Sequence, residues 1–286
     1  MTSTSISSPD QTPARVPARV PARSHGLPRS LVAHQSFGPL PGLLLILTVV
    51  TGVVDAISIL ALGRVFVANM TGNVVFAGFA IVGAPGFSLS ASLFALAGFL
   101  VGATAGGAMI TRVGRDRGAL LRAGTVAEVG LAAVALVLAA LSGGLGVTHG
   151  TTHIAGGSFS ADVTDALAAV LAVAMGIQNA VARKLAVPDM TTTVLTMTLT
   201  GLGADLRAVL RDAPGAARSA ARAALTRRLL SIAAMLAGAL ASAALTLYVS
   251  PVSALALAMA LLAAGAAGAT AAASRPAPWR TPQARN

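Results

Sequence analysis

Between Thr51 and Gly78 the chain reads TGVVDAISILALGRVFVANMTGNVVFAG, which sets Asp55, Asn69, Thr71 and Asn73 within segments otherwise apolar enough for lipid. An ionisable or amide side chain in hydrocarbon is costly unless it faces a cavity or a partner, so these residues are candidates for binding a solute or an ion. Asp55 has the chemistry to carry a proton or hold a cation; its competing role is to hydrogen-bond broken backbone and keep the fold. Asn73 is a candidate pore-lining residue, with helix-to-helix hydrogen bonding the alternative. A weaker echo of the stretch runs from Gly176 to Asp205 and adds Gln178, Asn179, Thr191 and Thr193 to the candidates.

Enzymatic signatures are missing. The sequence has no Gly-rich phosphate loop, GxSxG elbow or HExxH pair, and no two carboxylates close together in one apolar segment, so no catalytic role and no cofactor is expected. With no cysteine there is no thiolate chemistry, and His149 and His153 fall in a Gly-rich linker rather than on a helix, so no metal is expected either. Two further acids are read as structural: Glu128 as a partner for Arg122, and Asp205 as an end charge beside Arg207.

The elements that must position these residues follow from composition. Hydrophobic residues make up 55% of the chain and charged residues 10%, and the apolar runs approach the ~20 residues that cross a bilayer as helix. This is an all-α, polytopic membrane protein; the runs are continuous and rich in Ala, Leu and Gly, unlike barrel strands. The net charge of +11 resides in loops and tails, where membrane orientation accounts for it, so nucleic acid is not expected as a partner.

Residues 1–38 are polar, with the fourfold PARV-PARV-PAR period, and read as a disordered basic tail without a signal-peptide core. A first membrane repeat spans 39–145, with apolar segments near 40–62, 65–82, 89–110 and 123–141 and a charged turn at 112–122. A polar linker covers 146–162. A second repeat spans 163–273, with segments near 163–181, 191–206, 229–249 and 252–272 and a basic stretch at 207–228, before a tail at 274–286. Gly98, Gly102 and Gly106 form a small-residue face, suited to helix packing within the chain or to a homo-oligomer.

The two repeats are related by short matches: Gly52-Val-Val-Asp55-Ala56 with Gly176-Ile-Gln-Asn179-Ala180, and Asn69-Met-Thr-Gly-Asn73 with Asp189-Met-Thr-Thr-Thr193. Eight crossings would divide the basic residues poorly between the two sides. If the second and sixth segments instead enter and return, six crossings place every Lys and Arg but Arg64 on one side, and the halves run in opposite directions. The six-crossing arrangement is therefore expected, with both termini cytoplasmic. Each re-entrant segment would start a half-helix near the midplane, with Thr71 and Thr191, or Asn69 and Asp189, as caps, and Asp55 and Asn179 would approach one centre from opposite sides.

At these residues, and over roughly 40–272, the chain resembles the YoaK family of bacterial inner-membrane proteins. Phe66-Val-Ala-Asn-Met-Thr-Gly-Asn73 following Gly52-Val-Val-Asp55-Ala56 carries most of the likeness, with Gly176-Ile-Gln-Asn179-Ala180 and Thr191-Thr-Thr193 adding a weaker part. The resemblance implies a multi-pass plasma-membrane protein and no established activity. The residues themselves lead to the expectation of a secondary transporter or channel for a small solute sited between the repeats, with the half-helix ends favouring an anion. The alternative is a non-transporting membrane scaffold or regulator whose polar residues knit the bundle together.

Overall fold

The computed structural model describes residues 37–143, 159–185, 187, 195–210 and 215–281. All major elements among them are helices: α1 Leu40–Ala61, α2 Met70–Ile81, α3 Leu89–Val113, α4 Arg117–Leu141, α5 Ala161–Leu185, α6 Leu195–Leu210, α7 Gly215–Tyr248 and α8 Pro251–Ala273, followed by a single 3-10 turn, Pro278–Arg280. Their starts carry ordinary signals. Ser88, Asp116 and Ser250 cap α3, α4 and α8 by accepting hydrogen bonds from backbone N–H groups of the first turn, and proline occupies the first turn of α1 and α8.

Six of these helices are long and apolar enough to cross a membrane, as the six-crossing arrangement requires. At 12 residues, α2 reaches only about 18 Å, short of the ~30 Å hydrocarbon core. α6, with 16 residues, is not among the six. Two boundaries differ from expectation. The turn before α4 is only residues 114–116, because Asp116 caps a helix that already begins at Arg117, so Arg117 and Arg122 lie on α4. The basic stretch at 207–228 is not a separate element: it closes α6 and then forms the first part of the 34-residue α7.

Close contacts fix the direction of each helix. Ser242 of α7 donates to the Val53 carbonyl of α1 while Gly238 lies against Val49, so α1 and α7 run parallel. Gly98 and Gly102 of α3 lie against Ala169 and Val173 of α5, so these two also run parallel. Gln178 bonds to Thr51 and Gly63 lies against Thr164, so α5 runs against α1. Gly268 and Gly265 meet Leu43 and Ile46, so α8 does too. Trp279 touches both Gly38 and Gly118, which brings the starts of α1 and α4 to one end of the bundle. Thus α1, α4 and α7 run one way, and α3, α5 and α8 the other.

The inner core is a ring of α1, α8, α4 and α5, with α7 packed on α1, α3 packed on α5, and α6 and α2 outermost on α7 and α3. Exchanging the first four helices with the last four leaves this set of pairings unchanged. The agreement extends to atoms. A Cβ on Gly52 would lie 2.1 Å from the Met235 carbonyl oxygen and 3.0 Å from the Ala239 nitrogen; one on Gly176 would lie 2.3 Å from the Phe99 oxygen and 2.8 Å from the Ala103 nitrogen. Likewise Gly238 meets the Val49 oxygen at 2.1 Å and Gly102 meets that of Val173 at 2.0 Å.

The Gly98, Gly102, Gly106 face is therefore filled by α5 of the same chain and is not open to a second copy, which corrects its assignment to an oligomer interface. Small residues there let the backbones approach until carbonyls touch Cα atoms. Large apolar side chains such as Phe94, Leu100, Val134, Leu236 and Leu240 point outward, as a lipid-facing surface requires. All described basic residues except Arg64 gather at the end where α1 starts; Arg64 lies at the other, over the ring of Phe87.

Candidate functional site

After α1 ends, the chain runs without helix from Arg64 to Asn69, and Val65, Val67 and Ala68 are buried there. Each buried amide and carbonyl of such a segment needs a partner, because an unsatisfied one in an apolar interior costs several kcal/mol. Asn73, fully buried in the first turn of α2, meets part of that need. Its Oδ1 accepts from the Phe66 N–H at 2.8 Å and its Nδ2 donates to the Phe66 carbonyl, so one side chain replaces a neighbouring strand.

Asp55 meets another part. It projects from the fifth turn of α1, 6% exposed, and accepts from the Ala68 N–H at 3.4 Å and from Asn69 Nδ2 at 2.6 Å. Asn69 occupies the cap position of α2, but its side chain makes no cap bond and goes to Asp55 instead. Thr71 is not the cap either: it lies inside the first turn and is exposed. The structure places Asp55, Asn69 and Asn73 together around the unwound residues 66–69. Asn73 turns its amide toward the Phe66 backbone. Asp55 takes the backbone-bonding role that was its competing reading.

In the second half, Gln178 is fully buried and donates Nε2 to Thr51 Oγ1 at 2.9 Å, linking α5 to α1 at the middle of the bundle. Thr51 in turn donates to the Leu47 carbonyl. Asn179 donates to the Met175 carbonyl of its own helix and is only partly buried. Thr191 and Thr193, with Asp189, His149 and His153, lie outside the described residues. Among the described residues no group of three or more His, Cys, Asp or Glu comes together that could hold a metal.

Two acids behave differently from their sequence reading. Glu128 does not pair with Arg122: six residues apart on a helix, the two point about 120° away from one another, and Glu128 is buried at 1% exposure while Arg122 is exposed. Its Oε2 has no hydrogen-bond partner among the described residues. Asp205 faces not Arg207 but Arg228 of α7, with 3.4 Å between Nε and Oδ2. Glu128 is the residue sequence reasoning undervalued, although its isolation in an apolar run was visible.

Comparison with known proteins bears on this geometry at the level of class. Residues 43–268 match the family described as "Protein of unknown function (DUF1275)". The chain is 35% identical over 165 residues to the "UPF0700 transmembrane protein YoaK" of Bacillus subtilis (strain 168). That match takes in 57% of this chain and 66% of the relative, just under two thirds of its length. No solved structure matches the chain.

Proposed function

The chain belongs to the DUF1275 family, an integral membrane family without an assigned activity, and from that premise we propose that it is a secondary transporter for a small polar solute. The observation that carries the reading is the opposed run of two halves with matching helix pairings, which we read as an inverted repeat. In transporters of this design the substrate sits at the repeat interface, beside helices interrupted by unwound backbone, and the halves rock against each other. The break at 64–69 has that character. The start of α2 adds N–H groups that its cap leaves free of side-chain bonds, and these favour an anion or a carbonyl-rich solute.

On this reading Asp55, Asn69, Thr71 and Asn73 hold the first half of the site, and Gln178, Asn179, Thr191 and Thr193 the second. The membrane is the plasma membrane of a bacterium, and the basic end, with both termini, faces the cytoplasm by the positive-inside rule. One observation favours the scaffold alternative: Asp55 and Asn73 direct their polar atoms at residues 66–69, as residues that only hold a fold would.

Flux into liposomes separates the two. Protein reconstituted in lipid is offered small anions first, nitrate and formate among them, and then neutral polar solutes. A transporter moves at least one, and Asp55→Asn, checked for folding by gel filtration in detergent, abolishes the movement. If no solute moves with the unaltered protein, or Asp55→Asn transports normally, the scaffold reading or a different site replaces this one.

A further inference from the structure

We propose that Glu128 is a proton-binding site at the centre of the bundle, and that its protonated carboxyl donates to the free amide oxygen of Gln178. The proposal begins from two orphaned acceptors. Glu128 Oε2 and Gln178 Oε1 are both buried and both lack a hydrogen-bond partner among the described residues, in side chains of residues 1% and 0% exposed. Buried polar groups are nearly always satisfied, so two unsatisfied acceptors call for a donor.

The fold brings them to one level. Gly124 of α4 lies against Val181 of α5, and the two helices run in opposite directions, so four residues further along α4 comes opposite residue 177 of α5. Glu128 and Gln178 are thus within about one residue of facing register on adjacent helices of the inner ring. Gln178 is already oriented, because its Nε2 is engaged by Thr51 and its oxygen must therefore point the other way.

The chemistry of the missing donor can be narrowed. A metal cation needs more oxygens than two, and among the described residues no group of three or more His, Cys, Asp or Glu gathers here. Among the described residues no basic side chain is available to the carboxyl, and α1 contributes only another acid, Asp55, whose oxygens are taken by Ala68 and Asn69. α8 has no ionisable residue, α5 has none between Asp165 and Arg183, and α3 has only Arg112 near its end; on α4 itself Arg122 and Arg117 lie toward the basic end. An ionised carboxylate left alone there would bear the full cost of burial without a counter-charge. One proton resolves both deficits: it binds a Glu128 oxygen, removes the charge, and the new O–H bonds to Gln178 Oε1. Release needs the reverse, with the proton passing to water when the halves move apart. That second step rests on the transport reading; the site itself does not.

Infrared difference spectroscopy on the full chain in lipid tests the site directly. In an Asp55→Asn background, which removes the other buried carboxyl of the inner ring and in which every infrared comparison is made, the protein should show the carbonyl stretch of a protonated carboxylic acid at neutral pH. Glu128→Gln, which copies the neutral shape and should fold, should lose that band, and Gln178→Leu should retain it at higher frequency because its acceptor is gone. Absence of the band in that background, persistence in Glu128→Gln, or no shift in Gln178→Leu each overturns the proposal. Proton uptake reported by a pH dye inside liposomes then separates the two ideas. Solute-driven uptake abolished in Glu128→Gln supports the site as the coupling proton, uptake unchanged in that variant overturns it while leaving transport intact, and a band without any flux supports the site while the transport reading falls.

Discussion

Asn73 gives both ends of its amide to Phe66, and that exchange makes the residue hard to replace. Asn73→Asp keeps the acceptor but cannot donate to the Phe66 carbonyl, so it should destabilise nearly as much as Asn73→Ala, by about 1–3 kcal/mol for the group left unsatisfied. Thermal unfolding in detergent measures this; an Asp variant as stable as the parent would mean that the amide donor is unimportant. The sequence revealed these polar residues because they interrupt apolar runs, but it could not reveal where they point. Hydrogen-bond direction depends on the non-helical backbone between α1 and α2, so Asn73 reads as pore-lining or as structural until the break is seen. Glu128 was obscured for a different reason. Charge proximity in sequence suggested Arg122, whereas helical phase sends the two to different faces.

Helix contacts give the second set of expectations. A Cβ on Gly102 or Gly238 would press on a carbonyl oxygen at 2.0 or 2.1 Å, and backbone cannot yield cheaply. Gly102→Ala and Gly238→Ala should therefore each cost about 1–3 kcal/mol or more, and by similar amounts, since they occupy matching places in the two halves. Gly130, exposed on α4 with nothing within 4 Å, is the contrast: Gly130→Ala should be neutral or stabilise by up to about 1 kcal/mol. Thermal unfolding of the three variants checks the order, and equal effects at Gly102 and Gly130 would contradict the packing of α3 on α5. Most of this level was legible. The apolar runs located five of the six long helices to within about six residues at either end, and the two segments that charge placement set apart, the second and sixth, match α2 and α6, which are not among the six helices long and apolar enough to cross. The length of α7 was not legible, because an Ala- and Arg-rich stretch has good helix propensity whether or not it is in lipid.

At the scale of the whole molecule, the end where α1 and α4 start is covered by the 3-10 turn Pro278–Arg280. Trp279, the one tryptophan of the chain, is buried at 8% exposure against Gly38 and Gly118, and Arg280 beside it pairs with Asp116 at the start of α4. The hydrogen bond from Arg280 holds the Asp116 carboxyl below the usual carboxylate range, with burial opposing it more weakly. A lowered acid stabilises the docked state above its ordinary value, about 4, and that contribution is lost as pH falls through the lowered one. Tryptophan emission should therefore shift to the red below about pH 4 while helical circular dichroism is retained, and Arg280→Ala should show part of the shift at neutral pH. Unshifted emission in Arg280→Ala would mean that apolar packing alone docks the tail. Nothing in the sequence announced this clamp, since it joins residues more than 160 positions apart. The opposed halves are the central claim, and impermeant thiol labelling of single-cysteine variants in intact cells tests them most directly, with no native cysteine to interfere. Pro85→Cys and Ser142→Cys should label from outside, and Arg115→Cys and Ser274→Cys only after the membrane is opened. Labelling of Arg115→Cys from outside, with Pro85→Cys protected, would mean that α2 crosses the membrane and that the two halves run in the same direction.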